Sequence, residues 1–191
     1  MRRLFLWTDG AFHSGLAGEG VQEYNELVMQ YDISSLRRQE RAMSEPQAKH
    51  LLEEGIVAVL AMQQLGGGAY AVPMNYVWDG EAALYLHCAP EGHKLRCLSA
   101  CPHVSLVITE AVKVLPAMFS TAYRSLVVQG VAHVVTAGSE KLRALALMLQ
   151  KYAPDNLSAG QVYMERAVAQ TTILRVDIST WCGKEHRHAE H

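Results

Sequence analysis

Between Tyr70 and Leu95 the chain reads YAVPMNYVWDGEAALYLHCAPEGHKL. Two strand-like runs flank the turn Asp79-Gly80. The second ends in His87, a loop containing Gly92 follows, and His93-Lys94 opens a helix. A helix start offers unpaired N–H donors and the positive end of a macrodipole. Lys94 adds a mobile point charge, and Gly92 lets backbone approach a ligand closely. The chemistry these groups suit is phosphate binding. An ordinary solvated helix start would carry the same residues, so the weight of the reading comes from their neighbours.

Three other groups add to it. In Val72-Pro73-Met74-Asn75-Tyr76, Pro73 implies an edge or a bulge, where the ladder is open and backbone and Asn75 could face a heterocycle. An edge strand whose proline blocks aggregation is an equal alternative. His87 sits between Asn75 and Lys94 on adjoining strands, and an imidazole can both give and take a proton, which makes it the candidate proton donor or substrate contact; a half-buried strand-end histidine satisfied by backbone is the alternative. Tyr123-Arg124-Ser125 opens a long strand; the Tyr and Ser hydroxyls could bond a ligand, whereas Arg124 reads as an outward strand residue. Trp181 and Lys184 stand near the end of the chain, as a lid or as a simple terminus. Cys88, Cys97, Cys101 and Cys182 form no C-x-x-C pair and read as reduced, mostly buried thiols; no metal site is expected.

The elements that must position these residues follow from punctuation and periodicity. Ser44-Glu45-Pro46-Gln47 is a capped helix start with Ala48, Leu51 and Leu52 on its apolar face and Gly55 as the stop. Ile56 to Met62 reads as a buried strand. Gly66-Gly67-Gly68 turns it into Ala69 to Trp78, and Asp79-Gly80 turns that into Ala83 to Cys88, a three-stranded meander. A helix from Gly92 to Ser99 and a strand from Val104 to Thr109 come next. Ala111 to Thr121 is ambiguous because of Pro116. Tyr123 to Val135 is a strand with Gly130 marking a bulge or tight bend. A helix capped by Ser139 presents Leu142, Leu145, Ala146 and Leu149, a shorter helix spans Ala159 to Ala167, and Thr171 to Ile178 is the last strand. Six antiparallel strands with glycine at bends predict a mainly β protein with flanking helices, a small closed or split barrel rather than a doubly wound sheet. Residues 1–34 read as an N-terminal extension with a short helix from Glu23 to Tyr31, 35–184 as the domain, and 185–191 as a histidine-rich tail.

Composition narrows the classes. The chain has 191 residues, 50% hydrophobic and 19% charged, with a formal net charge of −2. One compact domain fits that length. The charge balance gives no footprint for nucleic acid, so an anionic ligand must be held by local basic groups. No stretch is long enough to span a bilayer, and MRRLFLW breaks too soon for a secretory signal, so a cytoplasmic location is expected. The dinucleotide loop G-x-G-x-x-G, the phosphate loop, H-E-x-x-H and the nucleophile elbow are all missing from the sequence.

VPMNYVWDGEAALYLHCAPEGHKL, the strand CPHVSLVI and YRSLVVQGVAHVV together resemble the FMN-binding split-barrel proteins related to pyridoxamine 5′-phosphate oxidase, and within them the nitroimidazole-resistance flavoproteins. The resemblance runs from about Leu36 to Lys184. It implies a homodimer with two FMN sites at the subunit interface, each built from both chains, and a small-molecule substrate. It places Pro73, Met74, Asn75 and Tyr76 along the flavin ring and His87, Cys88 and Ala89 beside the ribityl chain. His93 and Lys94 would hold the phosphate. Tyr123 and Ser125 would complete the site, and Trp181, Gly183 and Lys184 would reach the other subunit's flavin. The expected activity is an FMN-dependent oxidoreductase acting on nitroaromatic or quinone-like compounds. Flavin storage without specific catalysis is the alternative, and a related haem-binding barrel a third. Two departures bear on this. The chain ends DISTWCGKEHRHAEH, without the arginine-rich segment of pyridoxamine phosphate oxidases proper, and His93 stands where the branch often has arginine.

Overall fold

A computed structural model describes residues 29–187. Its strands are β1 (Gln30–Tyr31), β2 (Val57–Gln63), β3 (Ala69–Trp78), β4 (Ala83–Cys88), β5 (His103–Leu115), β6 (Ser120–Val134) and β7 (Thr172–His186). Its helices are α1 (Glu45–Glu54), α2 (His93–Ala100), α3 (Gly138–Tyr152) and α4 (Leu157–Ala167). The sheet runs β1-β7-β4-β3-β2-β5-β6, and β6 pairs again with β7. Six antiparallel strands thus close into a ring, with β1 a two-residue parallel addition on β7. The expected fold class holds: mainly β, a six-stranded split barrel with flanking helices. No helix among the described residues is long and apolar enough to cross a membrane. The expected helix from Glu23 to Tyr31 falls largely outside the described residues; Gln30 and Tyr31 themselves are strand.

Alternation along the strands fills the ring. Ala58, Leu60 and Met62 of β2 face inward with Leu84 and Leu86 of β4, Leu106 and Ile108 of β5, and Leu174, Val176 and Ile178 of β7. Helix α1 closes one end with Ala48, Leu51 and Leu52. Its start matches the sequence reading: Gln47 Oε1 accepts the Ser44 N–H at 3.0 Å and the Ser44 hydroxyl at 2.8 Å. A second, smaller core lies outside the ring, where Val77, Tyr85 and Ile173 meet Ala144 and Met148 of α3.

Several expectations need correcting. Strand β2 is buried on one face only; Val57 and Val59 point outward and are exposed. The ambiguous Ala111 to Thr121 belongs to a long β5–β6 hairpin, with a register shift between Glu110 and Lys113 and a short turn at Pro116–Met118. Strand β7 runs eight residues past Ile178, to His186, so strand pairing enters the segment read as a tail. Ser139 lies inside the first turn of α3 and caps nothing; Ala137 holds the cap position. The buried stripe of α3 is Ala144 and Met148, with Leu142 exposed, because the helix packs on the outer core and turns Leu149 toward α4 instead. Only Cys97 among the four free thiols is buried.

The C-terminal turn of α3 carries an electrostatic liability. Lys151 Nζ is buried, lies 4.2 Å from the centre of the Tyr76 ring, and has no hydrogen-bond partner among the described residues. Burial pushes its pKa down to about 8, while the Glu110 and Glu53 charges pull the other way. Folding therefore opposes protonation. The cost is fully present below pH 8 and fades as pH rises toward the ordinary value of 10.5. Lys151→Met is expected to stabilise the fold by about 1–2 kcal/mol at pH 7, after discounting for the solvent-exposed stem and the lost cation–π contact. Urea midpoints of the two proteins should converge between pH 7 and 10; a gap that stays constant would assign the effect to packing alone.

Candidate functional site

Strand β4 leaves the ring with Leu86 inside, His87 exposed and Cys88 half-buried, then α2 begins at His93. Gly92 caps α2 with φ of 152°, and nothing lies within 4 Å of the place a Cβ would take. The positive φ favours glycine there and leaves the first N–H groups of the helix bare. Burial pushes the Cys88 thiol up, and Lys94 pulls it back down, which shows the ammonium close to the end of β4. A helix N-terminus, a bare glycine and an ammonium together fit an anionic phosphate beside His87, Cys88 and the exposed Ala89.

His93 contributes differently from expectation. Its ring meets the Tyr70 ring edge-on at 4.8 Å, and Nε2 lies 3.6 Å from Cys97 Sγ, one turn along the helix. Its side chain is engaged with these partners, so what it offers at the helix start is its backbone N–H.

On β3 the predicted run splits by strand parity. Pro73 and Asn75 are exposed on the outer face, whereas Met74 and Tyr76 point into the barrel. The Tyr76 hydroxyl donates to the Leu52 carbonyl at 2.8 Å, and burial drives its pKa far up, so it stays neutral. The Met74 and Tyr76 side chains are therefore turned away from a ligand on the outer face, and the Tyr76 N–H and carbonyl are both bonded to the Tyr152 hydroxyl. Asn75 Nδ2 donates to the Ile56 carbonyl at 3.1 Å, which leaves Oδ1 as its available acceptor. The register continues to place Asn75 opposite His87, one step beyond Tyr76 and Leu86.

Tyr123, Ser125 and Lys184 gather elsewhere. Ser125 pairs with Lys184 across β6 and β7 and donates from Oγ to its carbonyl at 3.3 Å. Tyr123 pairs with His186, their ring centres 6.5 Å apart, and lines an open cleft with Lys113, Arg124 and Arg187. Arg124 reaches back to Glu110 at 3.2 Å. Trp181 belongs to neither group: it is buried in the core against Tyr31, with ring centres 4.8 Å apart. Even-numbered residues of β6 and odd-numbered residues of β7 past its bulge face inward there, which takes Trp181 and Gly183 inside and leaves Lys184 outside.

Between the two groups runs a feature that sequence reasoning missed. Pro73, Val59, Val107, Val127 and Cys182 sit opposite one another on five successive strands. Val59, Val107 and Val127 are 39%, 37% and 39% exposed on the outer face. The valines form an apolar ridge with Pro73 and Asn75 on one flank and Ser125 and Lys184 on the other. Three strand spacings, about 14 Å, separate β3 from β6 along this row. One chain does not bring both flanks to a single small ligand.

The sequence pattern of the pyridoxamine 5′-phosphate oxidase family matches residues 44–185. No curated protein matches the chain. Among solved structures, a candidate 5-nitroimidazole antibiotic resistance protein from Bacteroides thetaiotaomicron is 24% identical, with a TM-score of 0.65 over 76% of this chain and 86% of that one. An FAD-binding protein from Mesorhizobium loti is 25% identical, with a TM-score of 0.56 over 77% and 98%. An FAD and haem binding protein from Mycobacterium smegmatis is 20% identical, with a TM-score of 0.66 over 78% and 74%.

Proposed function

This chain belongs to the pyridoxamine 5′-phosphate oxidase family, and from that premise we propose that it is an FMN-binding homodimer of the nitroimidazole-resistance type, an oxidoreductase that reduces nitroaromatic or quinone-like small molecules. The observation that carries the reading is the cradle made by Gly92, the start of α2 and Lys94, set at the end of β4 beside His87. The two flanks of the apolar ridge support the dimer. A two-fold axis through the ridge sets the Asn75 flank of one copy against the Ser125 flank of the other and covers valines that a monomer leaves in water.

In this reading Lys94 and the backbone N–H groups of His93 and Lys94 hold the phosphate. Cys88 and Ala89 follow the ribityl chain. Pro73 and Asn75 face the ring, with Met74 and Tyr76 anchoring the strand behind them, while Ser125, Lys184 and Tyr123 serve the flavin of the neighbouring subunit. When bound, FMN supplies the electron chemistry, and the protein supplies orientation and electrostatics. His87 is exposed, and nothing among the described residues hydrogen-bonds its ring. It is placed to pass a proton from a ring nitrogen to a bound substrate.

The test is the absorbance spectrum of the purified protein, with FMN titration and sedimentation. A two-banded yellow spectrum and a dimer mass are expected. Lys94→Ala should weaken FMN binding about ten- to a hundredfold, the worth of one charge-assisted hydrogen bond. A colourless protein that takes up no added FMN would overturn the reading.

A further inference from the structure

Helices α3 and α4 roof a cavity of about 420 Å³ whose lining on the barrel side includes Asn75 and His87. Its walls are Leu145, Met148 and Leu149 of α3 and Met164 and Ala167 of α4. Helix α4 buries none of its residues, so it stands off the barrel rather than packing on it. Gly160 is a point of close approach to α3: a Cβ there would fall 2.1 Å from Leu149 Cδ1. The two helices thus approach closely at Gly160, with space left between them and the barrel.

The polar groups around this space are mostly spent. The Tyr152 hydroxyl accepts the Tyr76 N–H at 3.0 Å and shares its proton between the carbonyls of Tyr76 and Ile56. Thr171 Oγ1 donates to the Ala167 carbonyl at 2.9 Å. Asn75 Oδ1 and the His87 ring are left on the barrel side, and the hydroxyl of the exposed Tyr163 on α4. No Lys, Arg, Asp or Glu lines the walls.

We propose that this cavity between α3, α4 and the β3–β4 edge is a binding site for a neutral, planar, largely apolar molecule of about two fused rings. Its hydrogen-bonding end points at Asn75 and His87. A charged ligand would enter with no counter-ion and lose its hydration. The volume lies within the usual range of small-molecule pockets. As a substrate site the proposal rests on the flavin reading, because the lining includes Asn75, assigned to the ring, and His87; as a binding site it stands without it.

The probe is 2,3-dimethyl-1,4-naphthoquinone, whose blocked ring positions keep it from adding to thiols. It is titrated into the unaltered protein carrying 13C-methyl methionine, and flavin content is read separately from absorbance. Saturable shifts of the Met148 and Met164 methyls, with the barrel methionines Met43, Met62 and Met74 unmoved, are expected. Ala167→Phe, which fills the cavity, should weaken binding at least tenfold while flavin content stays the same. Shifts confined to other methionines, no saturable shift, or unchanged affinity in Ala167→Phe would overturn the site. If the protein holds no flavin yet Met148 and Met164 respond, the flavin reading falls and the cavity remains. If flavin is held and these methyls stay silent, the reverse is true.

Discussion

Gly130→Ala is expected to destabilise the protein by roughly 3 kcal/mol or more and to lower its soluble yield. A Cβ at this position would stand 2.2 Å from the Asp177 carbonyl oxygen and 3.0 Å from its carbon. Both atoms are backbone of the neighbouring strand, so no rotamer change can relieve the clash. The site is also where the register between β6 and β7 shifts: Gln129 pairs with Thr180 and Gly130 with Ile178, leaving Ser179 over on β7. The bulge tightens the sheet where the ring closes, and the close approach is its consequence. Gly138→Ala is the control, because nothing lies within 4 Å of its added Cβ at the start of α3. It should be neutral or mildly stabilising. Urea unfolding of the two variants should separate them clearly; a Gly130→Ala midpoint close to wild type would mean that the strands do not approach as described.

Gly130 also shows what kind of structural information the sequence carries. A glycine inside a strand-like run announces a bulge, and the structure has one there. The meander from β2 to β4 is equally legible, since Gly66-Gly67-Gly68 and Asp79-Gly80 sit between alternating runs and all four glycines have positive φ. Strand ends are harder. Thr180 to His186 has little β-branched character, yet it pairs along its length with β6 because the ring must close. Gly183 in that stretch is dictated by crowding from Ala48, Leu126 and Met43, which no local pattern reveals. The stripe of α3 is hard to read from sequence for a related reason: the helix has two partners, the outer core and α4, so its apolar residues do not lie on one face.

The candidate site was legible where it depends on local chemistry. Gly92, Lys94 and His87 follow one another in the chain, and the hairpin and helix start assemble them without help from distant residues. Parity was the obstacle on β3, where Pro73 and Asn75 face out and Met74 and Tyr76 face in. A four-residue run cannot all face one ligand when successive side chains alternate. The ridge escaped notice because Ile56 to Met62 looks uniformly apolar, like a strand buried on both sides. Only the pairing of five strands shows that Val59 shares its outward row with Val107 and Val127. Tyr152 carried no signal at all; its role in fixing the β2–β3 edge depends on where α3 ends.

Arg175→Leu is expected to cost about 2–3 kcal/mol near neutral pH and to change the shape of the stability profile against pH. Arg175 Nη1 donates to Glu140 Oε1 at 2.8 Å and Nε to Asp177 Oδ1 at 2.6 Å. Tyr85 donates to the same Glu140 oxygen at 2.8 Å, and His133 lies 3.5 Å from Asp177 Oδ2. This network joins α3 to β4 and β7 over the outer core. Its side chains are partly exposed, so the cost falls between the near zero of a surface pair and the 3–5 kcal/mol of a broken buried one, about 2–3 kcal/mol. Hydrogen bonds from Arg175 and then Tyr85 hold the Glu140 carboxyl below its usual range. That contribution is present above the unfolded value of 4.5 and is lost as pH falls through the folded one. Burial, then the bond to Glu140, pushes the Tyr85 hydroxyl up to about 12, so its contribution holds below pH 10 and fades as pH rises from there. Stability should therefore show a plateau between these limits, and Arg175→Leu should lower the plateau and shrink its acid edge. Urea midpoints at several pH values, with Glu140→Gln alone and combined with Arg175→Leu, decide it. If the two substitutions are additive, the ion pair is not what fastens α3, and the Ala144 and Met148 contacts hold the helix by themselves.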